Sequence, residues 1–325
     1  MNTMTNITLS LIPTTDPVME SNVTDIDIRF PNNSLPEKDH LKWTVVSIFI
    51  LLVSPFGMMG NGTIIWILGC CSKRNHFTTY ILNLCIADFG VVMILAIYSI
   101  CCFLSGLYRI DCPFNLKIVL FFLFLFTFST SQFLLAVISI DRCICIFFPF
   151  WHKCHRPPYL STILCVTIWI LTFLISAFNV TFELSNTYFH VVNHQLFLNA
   201  VIFMPAMAIS TIAMLIKVCF ISPHHKRRKL LRAILLALLF FLFFAFPMNV
   251  TELFFIGHIP VSSYLDYYGP IGASLNSAIN PVIYFLVGRC KKAQSRGKIK
   301  KMLEKLFQEE ESCGEAVECA IETHL

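Results

Sequence analysis

Asp88 lies deep within a long apolar segment, in the run Leu84-Cys-Ile-Ala-Asp88. In the middle of a membrane a charge costs about 3 kcal/mol on insertion scales, so this carboxyl must be protonated, paired or bound to a cation. Other apolar segments offer polar partners, namely Ser131, Asn276, Ser277 and Asn280. A carboxylate among hydroxyl and amide oxygens suits a hard cation such as sodium. The alternative is a protonated aspartate in a structural hydrogen-bond network.

A second pair of charges, Asp141-Arg142, follows an unbroken apolar run and is itself followed by Cys143. An arginine at such a place can simply extend its head group from the membrane into water. It can also exchange partners when a helix bundle opens towards the cytosol. The sequence leaves both interpretations open.

Catalytic and metal constellations are weak in this chain. His152, Cys154 and His155 offer donor types that zinc binds, but their spacing is tight and they lie in a basic loop, which favours a solvated loop. Asp88 is the only aspartate deep within an apolar segment, and the histidines lie in tails, loops or span ends, so an intramembrane enzyme is not indicated. We expect no catalytic residues and no cofactor apart from an allosteric sodium ion.

These residues are positioned by seven long apolar stretches. They cover residues 43–69, 77–104, 115–140, 158–182, 195–221, 231–256 and 264–287. Each is long enough to cross a bilayer, which needs about 20 apolar residues. The composition agrees, with 56% hydrophobic and only 13% charged residues. The sequence predicts an all-α membrane protein with a seven-transmembrane helix bundle over residues 42–288.

Pro205, Pro247 and Pro281 each lie inside a predicted span. Each removes a backbone hydrogen bond and kinks its helix. Kinks provide hinges for a bundle that switches between two arrangements. Packing geometry alone is the alternative explanation.

Basic residues predict the orientation, because Lys and Arg near span ends stay in the cytoplasm. Of the 24 Lys and Arg residues, only five fall on the side of the amino terminus: Arg29, Lys38, Lys42, Arg109 and Lys117. The amino terminus is therefore expected outside the plasma membrane and the carboxyl terminus inside. The basic cytoplasmic side is explained by topology and anionic lipid, and nothing indicates nucleic-acid binding.

The segments outside the bundle have separate predictions. Residues 1–41 form an extracellular tail whose sequons at Asn6, Asn22 and Asn32 can be glycosylated. Residues 289–308 form a short amphipathic cytoplasmic helix at the membrane surface. Residues 309–325 form a disordered cytoplasmic tail. Of the cysteines, Cys101, Cys102 and Cys112 lie near the outer face, where Cys112 can pair with Cys101 or Cys102.

Taken in order, these features resemble a rhodopsin-like (class A) G-protein-coupled receptor over residues 41–308. The motifs that carry the resemblance are Gly60-Asn61, Asp88, Asp141-Arg142, Trp169, Pro205, Pro247 and Asn280-Pro-Val-Ile-Tyr284. The string Ser139-Ile-Asp-Arg-Cys, with the later Pro149-Phe-Trp-His-Lys-Cys-His-Arg-Pro157, is similar to the Mas-related receptor family. Two further stretches of that family are Phe244-Ala-Phe-Pro-Met248 and Asn276–Gly288.

The resemblance implies ligand binding outside and activation of a heterotrimeric G protein inside, with arrestin and receptor kinases as further partners. It implies an activation switch formed by Asp141, Arg142, Pro205, Phe241, Pro247, Asn280, Pro281 and Tyr284. It also implies a sodium site formed by Asp88, Ser131, Asn276 and Asn280. In that family, sodium would favour the closed bundle.

The ligand class follows from what the spans lack and what their outer ends carry. Phe124 stands where receptors for small monoamines place an aspartate, so a monoamine is not expected. Glu183, Glu252 and Asp266 lie near outer span ends and can form a shallow acidic site. We expect a basic peptide or a cationic amphiphile as ligand, while solvated loop carboxylates are the alternative.

Three positions depart from the usual class A pattern. Ala245 replaces the aromatic switch before Pro247, Ala213 replaces a tyrosine in span five, and Arg227 stands where an acid often holds the span-three arginine. Without that ion pair, a constitutively active or ligand-independent receptor is an alternative. A transporter or channel is a further alternative, but paired intramembrane charges and inverted repeats are missing from the sequence.

Overall fold

The structure is a computed structural model that describes residues 37–71, 75–108, 112–157, 159–185, 194–221, 239–240, 243–244, 246–250 and 263–288. Within these ranges, all regular structure is helical, as the sequence predicts. The helices are Glu37–Trp66, His76–Tyr108, Phe114–Phe147, Pro149–Cys154, Leu160–Ser185, His194–Leu198, Met204–Ile221 and Ser263–Gly288.

Two short π-helical segments extend the first and fifth spans. Ile67–Cys71 continues the first helix, and Asn199–Phe203 joins the two helices of span five into one rod. Five helical rods of the described chain are long and apolar enough to cross a membrane. The predicted sixth span is described only in part, at 239–240, 243–244 and 246–250, and is helical there. The seventh predicted span is the helix Ser263–Gly288. The seven-span architecture is thereby confirmed.

Several helices are longer than their apolar stretches. The helix Phe114–Phe147 has 34 residues, which corresponds to about 51 Å, whereas a bilayer core measures about 30 Å. The first helix begins at Glu37, six residues before the predicted span and inside the predicted amino-terminal tail. Helices extend into the polar interface because their backbone hydrogen bonds are satisfied within the helix, wherever the apolar side chains end.

The third span is the centre of the bundle. In its apolar window 72% of the residues are buried, against 28% in the fourth span, which faces outward. It contacts the second, fourth and fifth spans, while the first span packs against the second and seventh. Side chains of span three therefore reach most of the bundle, and both Ser131 and Asp141 lie on it.

Small residues allow span seven to approach its neighbours closely at two places. A methyl group added to Gly60 would lie 2.8 Å from the Cβ of Pro281. A methyl group added to Gly272 would overlap the backbone carbonyl oxygen of Phe244. Glycine is thus required where span one meets span seven and where span seven meets span six.

Hydrogen bonds between neutral side chains join the second to fifth spans at membrane depth. Trp169 Nε1 donates to Asn83 Oδ1 at 3.0 Å, which links spans four and two. Thr130 and Thr172 share a hydrogen bond of 2.7 Å between spans three and four. Ser176 donates to Gln195 Oε1 at 2.8 Å between spans four and five. Bonds of this kind contribute on average about 0.6 kcal/mol each, and they fix the register of these helices.

The short helix Pro149–Cys154 lies in the loop between spans three and four and was not expected from the sequence. Proline suits its first position because the missing backbone N–H has no partner there in any helix. This helix carries His152 back towards the carboxyl-terminal end of span three.

Candidate functional site

Asp88 is the centre of a buried polar cluster. Its carboxylate is fully buried, and its Oδ1 accepts a hydrogen bond of 2.7 Å from Ser131 Oγ. Its Oδ2 accepts one of 2.8 Å from Asn280 Nδ2. Three helices, spans two, three and seven, thus meet at one carboxylate, and both donors are neutral.

Several oxygen atoms beside this cluster have no hydrogen-bond partner. They are Asn276 Oδ1, Ser277 Oγ, Asn280 Oδ1 and Asn61 Oδ1, all fully buried. The amide nitrogen of Asn276 is also without a partner, whereas Asn61 Nδ2 donates to the carbonyls of Gly57 and Ser277. Buried polar atoms without partners are rare and indicate a bound water, an ion or stored strain.

The arrangement fits a monovalent cation chemically. It combines a carboxylate with amide and hydroxyl oxygens that are not engaged as acceptors, and these are the ligands that hard cations prefer. Within the residues that the structure describes, no group of His, Cys, Asp or Glu forms a site for a transition metal. The structure brings Asp88, Ser131 and Asn280 into direct contact and places Asn276 one turn before Asn280 on span seven.

A second polar cluster surrounds Asp141 at the carboxyl-terminal end of span three. Asp141 Oδ1 lies 2.9 Å from Arg156 Nη2 and 3.7 Å from His152 Nε2. Its Oδ2 lies 3.5 Å from Arg142 Nη2. The carboxylate therefore faces two guanidinium groups, one from its own helix and one from the following loop.

Arg142 is buried and has contacts in addition to the ion pair. Its guanidinium lies over the ring of Phe77, with Cζ 4.1 Å from the ring centroid. Such a cation–π contact contributes about 0.5–2 kcal/mol, depending on its exposure to water. Arg142 is thus held between spans three and two at the end of the bundle.

Lys217 ties span five to the same region. Its Nζ donates to the backbone carbonyl of Ile146 at 2.7 Å and lies 4.4 Å from the ring centroid of Phe147. A cation is favourable there because the last carbonyls of a helix are unpaired and carry partial negative charge.

The other predicted switch residues are placed as follows. Pro205 lies on the exposed side of span five, just after the π-helical segment. Pro247 is half-buried in the described turn 246–250, and Pro281 is buried against Gly60. Phe241 lies outside the described residues, and Tyr284 lies in the helix Ser263–Gly288, where its side chain is not described.

Of the four residues predicted to form the ligand site, Phe124 is the one whose side chain the structure describes. Phe124 is buried and stacks on Phe128, with 5.2 Å between the ring centroids. Glu183 lies in the last turn of the fourth span and Asp266 in the first turn of the seventh, without a description of their side chains. Glu252 lies outside the described residues, as do the glycosylation sites Asn6, Asn22 and Asn32 and the predicted helix 289–308.

The disulfide offered by the sequence is not formed in the structure, where Cys101, Cys102 and Cys112 are all free thiols. Burial and the adjacent Cys101 thiol raise the pKa of the Cys112 thiol to about 11. The sequence predicts that these cysteines lie near the outer face, but it carries no information on the side-chain geometry that a disulfide requires.

Two residues of this second cluster were not predicted as site residues. Arg156 and His152 appear in the sequence only as parts of a basic loop. Their contact with Asp141 depends on the path of the chain through Pro149–Cys154. The single feature of the sequence that points to this contact is the proline that follows Arg156, which places Arg156 directly before span four.

Comparisons with known proteins point to one family. The profile described as "7 transmembrane receptor (rhodopsin family)" matches residues 60–284. The chain is 30% identical to "Proto-oncogene Mas" of Homo sapiens over 305 residues, which covers 89% of this chain and 93% of that protein. It is 33% identical over 294 residues to "Mas-related G-protein coupled receptor member H" of Rattus norvegicus, covering 86% and 88% of the two chains. The identity to "Mas-related G-protein coupled receptor member X1" of Homo sapiens is 28% over 305 residues, with 90% and 92% covered.

Proposed function

This chain belongs to the rhodopsin family of seven-transmembrane receptors and, within it, to the Mas-related receptors, and we propose that it binds a basic peptide or a cationic amphiphile outside the cell and activates a heterotrimeric G protein inside. As a member of this family it is a multi-pass plasma-membrane receptor without enzymatic activity. The proposed topology has the amino terminus outside and the carboxyl terminus in the cytoplasm.

One observation carries the proposed coupling. Arg142 is a buried guanidinium at the cytoplasmic end of the central helix, where it is 3.5 Å from the Asp141 carboxylate and lies over Phe77. Both contacts can be exchanged without breaking the helix. When the neighbouring spans separate, Arg142 can turn towards an inserted helix of the G protein. A ligand drives this only to the extent that it binds the open bundle more tightly than the closed one.

Exposed aromatic side chains that follow the end of span three support the same interface. Phe148 and Phe150, at the start of the loop helix, are 65% and 70% exposed. Large apolar side chains clustered at a polar surface mark docking sites. We place the G protein here, and the same cytoplasmic face is proposed for receptor kinases and arrestin.

The ligand class is proposed from charge. Glu183 lies in the last turn of the fourth span and Asp266 in the first turn of the seventh. A group of carboxylates at the outer end of the bundle would concentrate cationic ligands. Phe124, buried against Phe128, gives an apolar floor instead of the anion that a small monoamine would need. An amphiphile satisfies both features with its charged and apolar ends.

Sodium is proposed as an allosteric ligand at Asp88. Ser131, Asn276 and Asn280 would complete the site, and the partnerless oxygens of Asn276 and Asn280 support it. When bound, the ion supplies positive charge that tethers spans two, three and seven. Because an open bundle separates these spans, sodium would favour the closed arrangement.

Signalling without ligand is the second candidate. The sequence carries Arg227 in place of an acid that could hold Arg142. With two cations instead of an ion pair, the closed state would lose a contact that restrains span six in related receptors.

The test is G-protein activation in cells that express the full chain. A panel of Lys- and Arg-rich peptides and cationic amphiphiles is applied, and dissociation of labelled G-protein subunits is recorded. We expect a ligand-dependent rise that falls at least tenfold in Arg142→Ala and partly in Arg142→Lys, which retains the charge but loses the planar guanidinium. An equal response from Arg142→Ala at matched surface expression would contradict the coupling role of Arg142. A strong signal without any ligand, lost in Arg142→Ala, would favour the second candidate.

A further inference from the structure

The two oxygens of the Asp141 carboxylate are unequally engaged. Oδ1 lies 2.9 Å from Arg156 Nη2, the distance of a strong charge-assisted hydrogen bond. Oδ2 accepts no hydrogen bond, and the nearest described guanidinium nitrogen, Arg142 Nη2, is 3.5 Å away. The loop arginine, not the adjacent one, therefore makes the closer contact with this carboxylate.

Arg156 is held in this place by its other contacts. Its Nη2 donates to Ser161 Oγ at 2.9 Å, and its Nη1 lies 2.6 Å from His152 Nε2. Because a guanidinium only donates hydrogen bonds, His152 Nε2 acts as the acceptor and carries no proton in this arrangement. The Arg156 side chain is 4% exposed, so the ion pair is largely protected from water and salt.

We infer that Arg156 is a positioning residue for G-protein activation, which competes with Arg142 for the Asp141 carboxylate and keeps the Asp141–Arg142 ion pair weak. This inference rests on the proposed function, because it gives Arg142 its task at the G protein. A carboxylate engaged by one guanidinium binds a second one less well. Asp141 then holds Arg142 less strongly, so Arg142 exchanges this partner at a lower cost.

Removal of Arg156 should change activity in the direction opposite to that expected for the loss of a restraining ion pair. In a chain where an acid on span six restrains the arginine, loss of an ion pair raises activity. Here, loss of Arg156 would release Oδ1 and allow Arg142 to form a bidentate pair with Asp141. That pair would restrain Arg142 more strongly, so activity would fall although an interaction has been removed.

The first test measures thermal unfolding of the purified full-length receptor and needs no ligand. The variants Asp141→Asn and Arg142→Gln and their combination are made with Arg156 present and again with Arg156→Gln. Non-additivity of the two melting-temperature shifts reports the Asp141–Arg142 coupling. We expect a coupling below about 1 °C with Arg156 present, rising to about 3 °C or more without it. Equal couplings in the two backgrounds, or a larger one with Arg156 present, would overturn the inference.

A matched control removes another cation from the same face. Lys217→Gln takes away a charge that contacts the Ile146 carbonyl instead of Asp141. It should leave the Asp141–Arg142 coupling unchanged. A rise in coupling equal to that of Arg156→Gln would show that net charge, and not competition for the carboxylate, determines the pair.

The second test measures unliganded nucleotide exchange on a purified G protein. We expect Arg156→Gln to lower exchange at least threefold, Arg156→Lys to retain most of it, and Arg156→Gln to have no further effect in an Asp141→Asn background. A loss that persists in that background would mean that Arg156 only supports the loop, and would overturn the positioning role. If wild type shows no exchange with or without the ligand panel, the proposed function fails, while the unfolding measurements still decide the competition.

Discussion

Among the described side chains, the two buried carboxylates, Asp88 and Asp141, differ in how their charge is balanced. Asp88 receives hydrogen bonds from Ser131 and Asn280, which are neutral. Asp141 lies within 4 Å of two guanidinium groups, those of Arg142 and Arg156. Hydrogen bonds alone do not cancel a buried charge, whereas a guanidinium does. The first site thus has capacity for a mobile cation, and the second already contains its cations as side chains.

The difference also separates two kinds of regulation. A site that is completed by a dissolved ion responds to the composition of the solution. A site that is completed by its own arginines responds to the movement of the elements that carry them. In this protein the solution-responsive site would be at the centre of the bundle and the movement-responsive site at its cytoplasmic end, where the proposed partner binds.

The largest expected effect comes from removing the Asp141 carboxylate, and removal of the Asp88 carboxylate in the same sodium-free buffer serves as the comparison. Asp141→Asn removes the carboxylate that faces two buried guanidinium groups, and we expect a loss of about 3 kcal/mol in the free energy of unfolding. Asp88→Asn takes no partner from a charged side chain, because both donors to Asp88 are neutral. The loss in the free energy of unfolding should therefore be below about 1 kcal/mol. The rotated amide of Asn280 can accept a hydrogen bond from the new side chain. Chemical or thermal unfolding of the purified receptor would measure both changes.

A loss of stability in Asp88→Asn as large as that in Asp141→Asn would contradict the proposed difference between the two carboxylates. It would mean that Asp88 is an essential structural acceptor and that its neutral donors are sufficient without an ion. Asp88→Leu serves as a further control, since it removes the hydrogen bonds as well as the charge. It should be more damaging than Asp88→Asn.

The sequence indicated the first of these sites much better than the second. Asp88, Ser131 and Asn280 are polar residues on apolar spans, and three apolar helices can bury them only by facing them towards each other. Their meeting therefore follows from the helix count and the polar positions. For six of the seven spans, the ends of the predicted apolar stretch lie within seven residues of the ends of the described helical segment.

The second site could not be derived in this way. Arg156 reaches Asp141 because the loop folds into the helix Pro149–Cys154 and returns to the end of span three. A loop has no periodic apolar face from which such a path can be read. The missing disulfide of Cys112 has a similar cause, because the distance and direction between thiols depend on loop geometry. Helix ends were misjudged by several residues because helices continue into the polar interface.

The next effect in size is the response to sodium. Sodium at ten times its dissociation constant would stabilise the receptor by about 1.4 kcal/mol. We expect the apparent melting temperature in sodium chloride to exceed that in choline chloride of equal ionic strength by about 3 °C or more. Asp88→Asn should abolish this difference, and Arg156→Gln should leave it intact. A sodium effect that survives in Asp88→Asn would place the ion elsewhere.

Asn276 gives a matched control for the sodium site. Its side-chain amide is buried and has no hydrogen-bond partner, so Asn276→Leu should not destabilise the sodium-free protein. If the amide oxygen binds the ion, the same variant should raise the sodium concentration needed for half of the stabilisation about tenfold. Loss of stability without sodium, together with an unchanged sodium response, would count against a ligand role.

The smallest effect is expected at Lys217. It tests whether this lysine also helps to balance the charge of Asp141. Lys217 lies at the same end of the bundle, but its partners are the carbonyl of Ile146 and the ring of Phe147. Lys217→Met should therefore cost only about 1 kcal/mol of unfolding free energy. Combined with Asp141→Asn, the two losses should add to within about 0.5 kcal/mol, as for sites without shared partners. A clear deviation from additivity would mean that Asp141 also depends on span five, so that its charge is balanced by three elements. Movement of span five would then alter the hold on Arg142 directly, and the cytoplasmic site would respond to more than the loop that carries Arg156.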